Sequence, residues 1–249
     1  MPEVPVQTMA LIAGAFLLAG LVKGVVGLGL PTVSLALLTA TLGVKYAIAL
    51  MLVPSLVTNV WQALTGGALV SILKRTWTLL TVACIGIWFG AELLARADAE
   101  LVGAAFGLLL CVYCGFSLAT PQIPPPGQRE IWLSPLVGAV AGVITGLTGS
   151  FVVPGVLYLQ ALGLSRDVLV QTMGVTFVVL TLALGSALST QGLLSSDLGI
   201  LSAAAVVPAV LGMVLGQTVR KRLPEATFRR VFFCALFALG LYIFLGALI

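Results

Sequence analysis

Gly20-Leu-Val-Lys-Gly24-Val-Val-Gly27-Leu-Gly29-Leu-Pro31 returns 122 residues later as Gly142-Val-Ile-Thr-Gly146-Leu-Thr-Gly149-Ser-Phe-Val-Val-Pro154. Glycine frees the backbone to leave a helix, and proline suits the first turn of a helix that restarts. Each stretch therefore predicts a helix, a break and a second helix. The flanking sequence is apolar enough to put both breaks inside a membrane, where irregular backbone survives only when buried in protein or lining a wet cavity. A restarting helix also turns its free N–H groups toward the break, which suits an anion. The competing reading is that these glycines serve close helix packing, which is the expectation for Gly86/Gly90, Gly103/Gly107 and Gly212/Gly216.

Outward from these stretches, the 249 residues are 60% hydrophobic and 8% charged, with a mean hydropathy of +1.20, against about 25% charged residues in a soluble domain. Long charge-free runs recur, and a membrane-spanning helix needs roughly 20 such residues. The absence of period-two alternation excludes a closed barrel. Met1 to Gln7 carry Glu3 and no basic residue, so the first helix is expected to be retained rather than cleaved as a leader. The net charge of +4 sits in short stretches between apolar runs, the pattern of topological signals rather than of nucleic-acid binding. Cys84, Cys111, Cys114 and Cys234 all lie in apolar segments. The Cys111-x-x-Cys114 pair has no histidine near it, so packing cysteines are expected.

Ten apolar segments fall near 8–22, 30–42, 46–64, 77–95 and 100–119, then 132–146, 151–162, 167–189, 197–219 and 226–248. A proline-rich linker, 120–130, separates a first membrane repeat, 1–119, from a second, 131–249. In each set a short leading pair is expected to precede three longer helices. Gly20, Gly24 and Gly27 match Gly142, Gly146 and Gly149; Leu42-Gly43 matches Leu162-Gly163; Gly86-x-x-x-Gly90 matches Gly212-x-x-x-Gly216. Loop charges reverse between the sets. Lys74 and Arg75 follow the third segment of the first, whereas in the second Arg220, Lys221, Arg222, Arg229 and Arg230 follow the fourth. The fold class expected is thus an all-α integral membrane protein made of two inverted five-segment repeats, the first two segments of each being short, glycine-broken or re-entrant helices. The positive-inside rule puts the linker in the cytoplasm and both termini outside a plasma (inner) membrane.

Charge narrows the ligand. No acidic residue lies between Glu3 and Glu92, yet Lys23 lies within the first glycine stretch and Lys45 opens the third segment. An intramembrane lysine usually faces a cavity or a partner, and a small anionic substrate is a natural counter-ion; snorkelling to the interface is the alternative. Ser55, Thr58, Asn59 and Gln62, with Gln171, Thr172 and Thr176, offer neutral donors that could complete the site, the alternative being hydrogen bonds between helices. Without histidine, Ser–His and H-E-x-x-H chemistry is excluded, so no enzyme, metal or cofactor is expected. A membrane scaffold remains the other class of function. The lipid bilayer is the expected surrounding, and a homodimer is compatible with the sequence.

The run Ala19 to Gly29, with Leu52-Val-Pro-Ser-Leu-Val-Thr-Asn-Val-Trp-Gln62 and the second glycine stretch from Gly142 to Pro154, resembles the sulfite exporter TauE/SafE family of membrane permeases. The resemblance covers essentially the whole chain. It implies a transporter of sulfur-containing oxyanions or organosulfonates such as sulfite or sulfoacetate, or of another organic anion. By position it implies a substrate site near Lys23, Gly24, Gly27, Gly29, Asn59, Gln62, Thr145, Thr148, Gly149 and Ser150. The sequence Thr148-Gly149-Ser150 departs from the denser glycine run common in that family, which leaves the substrate open.

Overall fold

A computed structural model describes residues 5–27, 29–119, 123–220 and 225–247, and its regular elements are helical. In chain order they are α1 (Val6–Val26), α2 (Leu30–Leu42), α3 (Val44–Leu64), α4 (Leu69–Arg96), α5 (Ala99–Ala119), α6 (Glu130–Thr148), α7 (Leu157–Ala161), α8 (Arg166–Thr190), α9 (Ser196–Ala204), α10 (Val206–Arg220) and α11 (Glu225–Gly246). Among the described residues eight helical stretches are long and apolar enough to cross a membrane. Large apolar side chains such as Val70, Trp77, Phe89, Leu101 and Ile131 face outward. The chain is therefore a multi-pass membrane protein, with lipid covering a surface that water would not tolerate.

The boundaries correct several expectations. α1 and α6 have 21 and 19 residues, so the first member of each leading pair is of full length and only α2 and the turn-plus-helix 152–161 are short. The reason is that Gly20, Gly24, Gly142 and Gly146 do not interrupt their helices but serve packing. A Cβ on Gly24 would collide with the Met213 carbonyl and Gly216 of α10; one on Gly146 would collide with the Ile87 carbonyl and Gly90 of α4. The helix ends themselves come at Gly27, Gly29 and Gly149, with φ of 87°, 112° and 74°, which L side chains rarely adopt. α4 starts at Leu69, so Lys74 and Arg75 ride its first turns rather than a loop. Lys221 and Arg222 lie outside the described residues. The fourth segment of the second set divides at Ala205 into α9 and α10, where Pro208 cannot donate to Ala204.

The two sets pack reciprocally. Gly20 faces Ala209 and Gly24 faces Gly216, so α1 and α10 run parallel; Gly142 faces Ala83 and Gly146 faces Gly90, so α6 and α4 do as well. The first helix of each set thus lies along the fourth helix of the other. Helices of equal rank run antiparallel: Gly174 meets Ala63 while Gly185 meets Leu52, for α8 against α3. For α5 against α11, Gly107 meets Gly240 while Arg229 donates to the Ser117 carbonyl at 3.2 Å. One end of the bundle therefore gathers the C-terminus of α3, the N-termini of α4, α6 and α8, and the linker. The other gathers the N-termini of α1 and α3 and the C-termini of α4 and α8.

Pro54 lies inside α3, where its missing N–H leaves the Leu50 carbonyl without its helical donor. Ser202 of α9 supplies the substitute, its Oγ donating to Leu50 O at 2.8 Å and accepting from Val53 N at 3.1 Å. The close contacts also predict which glycines tolerate a side chain. Gly90→Ala is expected to force α4 and α6 apart and lower the melting temperature of the detergent-purified protein. Gly103→Ala, whose Cβ meets nothing within 4 Å, is expected to leave it unchanged or raise it, since alanine favours a helix over glycine by about 1 kcal/mol. Thermal unfolding of the two variants side by side checks this.

Candidate functional site

Lys23 sits on α1 one turn before the break at Gly27, and only 4% of it is exposed. Its ammonium reaches across to α3, donating to Thr58 Oγ1 at 3.2 Å and to Asn59 Oδ1. The snorkelling alternative does not hold, because the side chain points into the bundle. Both acceptors are neutral, and the ion pairs Arg75–Glu130 and Arg96–Glu92 lie elsewhere. Thr58 Oγ1 donates to Pro54 O at 2.8 Å, which leaves its lone pairs to face the ammonium. The kink residue of α3 thereby orients one of the two acceptors.

Because Asn59 turns its oxygen to Lys23, its Nδ2 is buried without a hydrogen-bond partner. Ser55 Oγ, one turn earlier on the same face of α3, and Thr176 Oγ1 on α8 are in the same condition. Such groups are uncommon in folded proteins and each costs about 1–3 kcal/mol. A buried cation received only by neutral oxygens, beside an amide with unspent hydrogens, is short of acceptors. A small anion supplies acceptors and charge together.

Gln62 and Gln171, expected to contact substrate, are instead occupied with the backbone. Gln62 Nε2 donates to Gly27 O at 3.0 Å and to Val170 O at 2.7 Å. Gln171 Nε2 donates to Ala63 O at 2.9 Å, and its Oε1 accepts from Ala68 N at 3.0 Å. Both amides thus tie loose carbonyls and N–H groups at the ends of α1, α3, α4 and α8. The pair clamps the first break in place, with Gly27 held between Gln62 and Val170.

The second break gathers Thr145, Thr148, Gly149 and Ser150, whose hydroxyl and backbone groups bond to the preceding turn of α6 and to each other. Thr145 Oγ1 donates to Ala141 O at 2.6 Å, Thr148 Oγ1 to Ile144 O at 2.8 Å, and Ser150 N donates to Thr148 Oγ1 at 3.3 Å. A Cβ on Gly149 would press on Ile48 and Leu35. Thr145, Gly149 and Ser150 line a cavity of about 20 Å³ with Pro31, Thr32, Met51 and Thr181, room for about one water. Met51 precedes Asn59 by eight residues of α3, roughly 12 Å along the helix. The residues expected to form one site therefore divide between two places: Lys23 with Asn59 at one, and Thr145, Gly149 and Ser150 on a cavity whose lining includes neither of them. Gly29 caps α2 beside Val22 and Phe232, and Gly24 is buried against α10. At the shared offset of 122, Thr145 occupies in the second stretch the place of Lys23 in the first, so the charge is carried by one half alone.

Ser202, Thr32 and Thr181 carried no sequence signal. Each is a hydroxyl in an apolar run, and only the proximity of Pro54 or of a break in the folded chain gives it a task. Among known proteins, the family model described as Sulfite exporter TauE/SafE matches residues 12–243. No curated protein and no solved structure gives a significant match.

The Lys23–Asn59 contact generates a stability prediction. Asn59→Leu is expected to lower stability by about 1.5–3 kcal/mol, the worth of a hydrogen bond to a charged group. Adding Lys23→Met to it is expected to recover most of that loss. A double-mutant cycle read by thermal unfolding measures the coupling; additive losses would mean that the two side chains do not interact.

Proposed function

Since the chain belongs to the sulfite exporter TauE/SafE family, a family of membrane transporters of sulfur-related anions, we propose that it is a secondary transporter that exports a small sulfur-containing oxyanion or organosulfonate by alternating access. The substrate's anionic group binds between Lys23 and Asn59, with Ser55 and Thr176 as further donors. The observation that carries this is the buried Lys23 without a carboxylate partner, next to an Asn59 amide with unspent hydrogens. An oxyanion of this kind offers several acceptor oxygens on one small head, which matches a site with donors in excess.

The two five-segment sets act as inverted repeats, 1–119 and 131–249, with α2 and the 152–161 segment as re-entrant helices. Antiparallel pairing of α3 with α8 and of α5 with α11 supports that arrangement, because halves of equal orientation would pair equal-rank helices in parallel. The linker lies in the cytoplasm and both termini lie outside the inner membrane, as the basic residues near the linker end favour. Transport rather than catalysis is the function, and a homodimer remains compatible with the exposed apolar faces. A negative interior drives a monovalent anion outward with about 2.3 kcal/mol per 100 mV, so export needs no coupling ion.

Sulfite efflux from proteoliposomes under an imposed potential, without ion gradients, is the test. The expected outcome is flux that follows the potential and is lost in Lys23→Met, together with a loss of affinity of more than tenfold, or about 1.4 kcal/mol. Unchanged binding and flux in Lys23→Met would remove Lys23 from the site. Binding of non-sulfur carboxylates in place of sulfite or sulfoacetate would redirect the substrate assignment.

A further inference from the structure

The two ends of the bundle differ in a way that the internal repeat makes measurable. At the linker end Arg75 of α4 holds Glu130 of α6 through two hydrogen bonds, 2.7 Å from Nε and 2.8 Å from Nη2, and Nη2 also donates to Leu162 O at 3.0 Å. This latch ties the start of α4, the start of α6 and the end of α7 together. The repeat offsets locate the corresponding positions at the other end. Gly86/Gly90 to Gly212/Gly216 carries Arg75 to Leu201; Gly20 to Gly142 pairs Thr8 with Glu130; Leu42-Gly43 to Leu162-Gly163 pairs Leu42 with Leu162. Leu201, Thr8 and Leu42 all line one open cavity of about 630 Å³, whose wall also bears Lys45 and Asp197.

We infer that this vestibule is one mouth of the transport path, standing open, and that the Arg75–Glu130–Leu162 latch closes the corresponding mouth at the linker end. The inference rests on the alternating-access reading above. A guanidinium, a carboxylate and a carbonyl hold three segments together at one end; at the other a leucine, a threonine and a leucine have no such bond to make, and the segments stand apart. Lys45 in the vestibule wall, held by a 3.2 Å bond to Ala97 O, gives an anion released from Lys23 a second cation on its way out. The latch suits a gate because it is partly exposed, with 39% and 22% of its two side chains accessible. An ion pair in that setting adds little stability and can be broken and remade, whereas its bidentate geometry gives a defined closed position. Opening the linker end then requires loss of this pair, and the glycine-packed α4–α6 and α1–α10 units move as the rigid parts.

The experiment compares single cysteines at matched depths, Leu198→Cys in the vestibule and Ile72→Cys at the position 126 residues earlier, in a chain whose four native cysteines are replaced. The probe is a membrane-impermeant maleimide applied to the full-length protein in proteoliposomes from either side, without substrate. In the otherwise unmodified chain, labelling of Leu198→Cys is expected to be at least tenfold faster than that of Ile72→Cys. Adding Arg75→Gln or Glu130→Gln is expected to raise labelling of Ile72→Cys several-fold and to lower that of Leu198→Cys. The exchanged pair Arg75→Glu with Glu130→Arg is expected to reverse both changes. Equal labelling of the two cysteines in the unmodified chain overturns the inference. So does a rise at Ile72→Cys with no fall at Leu198→Cys, which marks local loosening rather than exchange between two mouths, and so do unchanged rates in two latch variants that keep the parent melting temperature. Sulfite flux is measured separately, so reciprocal labelling without flux would refute the transport reading while leaving the gate in place.

Discussion

A backbone amide in hydrocarbon has no water to bond to, and the places where this helical bundle fails to supply an internal partner organise the rest of it. Pro54 leaves a carbonyl of α3 unpaired, and a serine from α9 donates to it. The end of α1 leaves Gly27 O exposed, and the Gln62 amide bridges it to α8. The second break is answered from within, Ser150 N donating to the Thr148 hydroxyl. The first two repairs each fix a neighbouring helix, so irregularities that would weaken an isolated helix become joints of the bundle. The glycine contacts do the complementary work. They bring α1 to α10 and α4 to α6 close enough for backbone to touch backbone, giving two tightly packed pairs.

Against this background Lys23 is the exception that gives the bundle its chemistry. Among the described residues every other strongly buried polar group lies on a neutral side chain, and most can be assigned to the repair of a break, a kink or a helix carbonyl. Lys23 repairs nothing. It carries a charge into a region without carboxylates and is received by two neutral oxygens, which cover part of the cost of its burial and leave the charge uncompensated. Placing Thr145 at the equivalent position of the other half removes a second cation that would repel the first. Two matching sequence stretches thereby carry a single charge between them.

Much of the architecture was legible in the sequence because it rests on period and composition. Segment count, the glycine offsets and the two breaks are all one-dimensional signals. The functions of individual glycines were harder to read, since Gly24 and Gly27 stand three residues apart in one motif and do opposite things: one packs inside a helix and the other ends it. Lengths of α1 and α6 were underestimated for that reason. Asn59 was legible as a polar residue in an apolar run, but its contact with Lys23 spans 36 positions and is fixed by helix packing. For Gln62 and Gln171 the sequence leaves open whether their amides hold a ligand or bond between helices, because an amide in hydrocarbon must bond to something. That the something is backbone depends on where α1, α3 and α8 end in space, which no local pattern encodes.

The grip of α9 and α10 on the first half has a consequence for the proposed site. α10 lies against α1, which carries Lys23; Ser202 of α9 holds α3, which carries Asn59. The two jaws thus belong to the first half, while the pieces packed behind them belong to the second. In the transporter proposed above, the width of the site is therefore a shared coordinate of the two halves, and a bound anion reports to both at once.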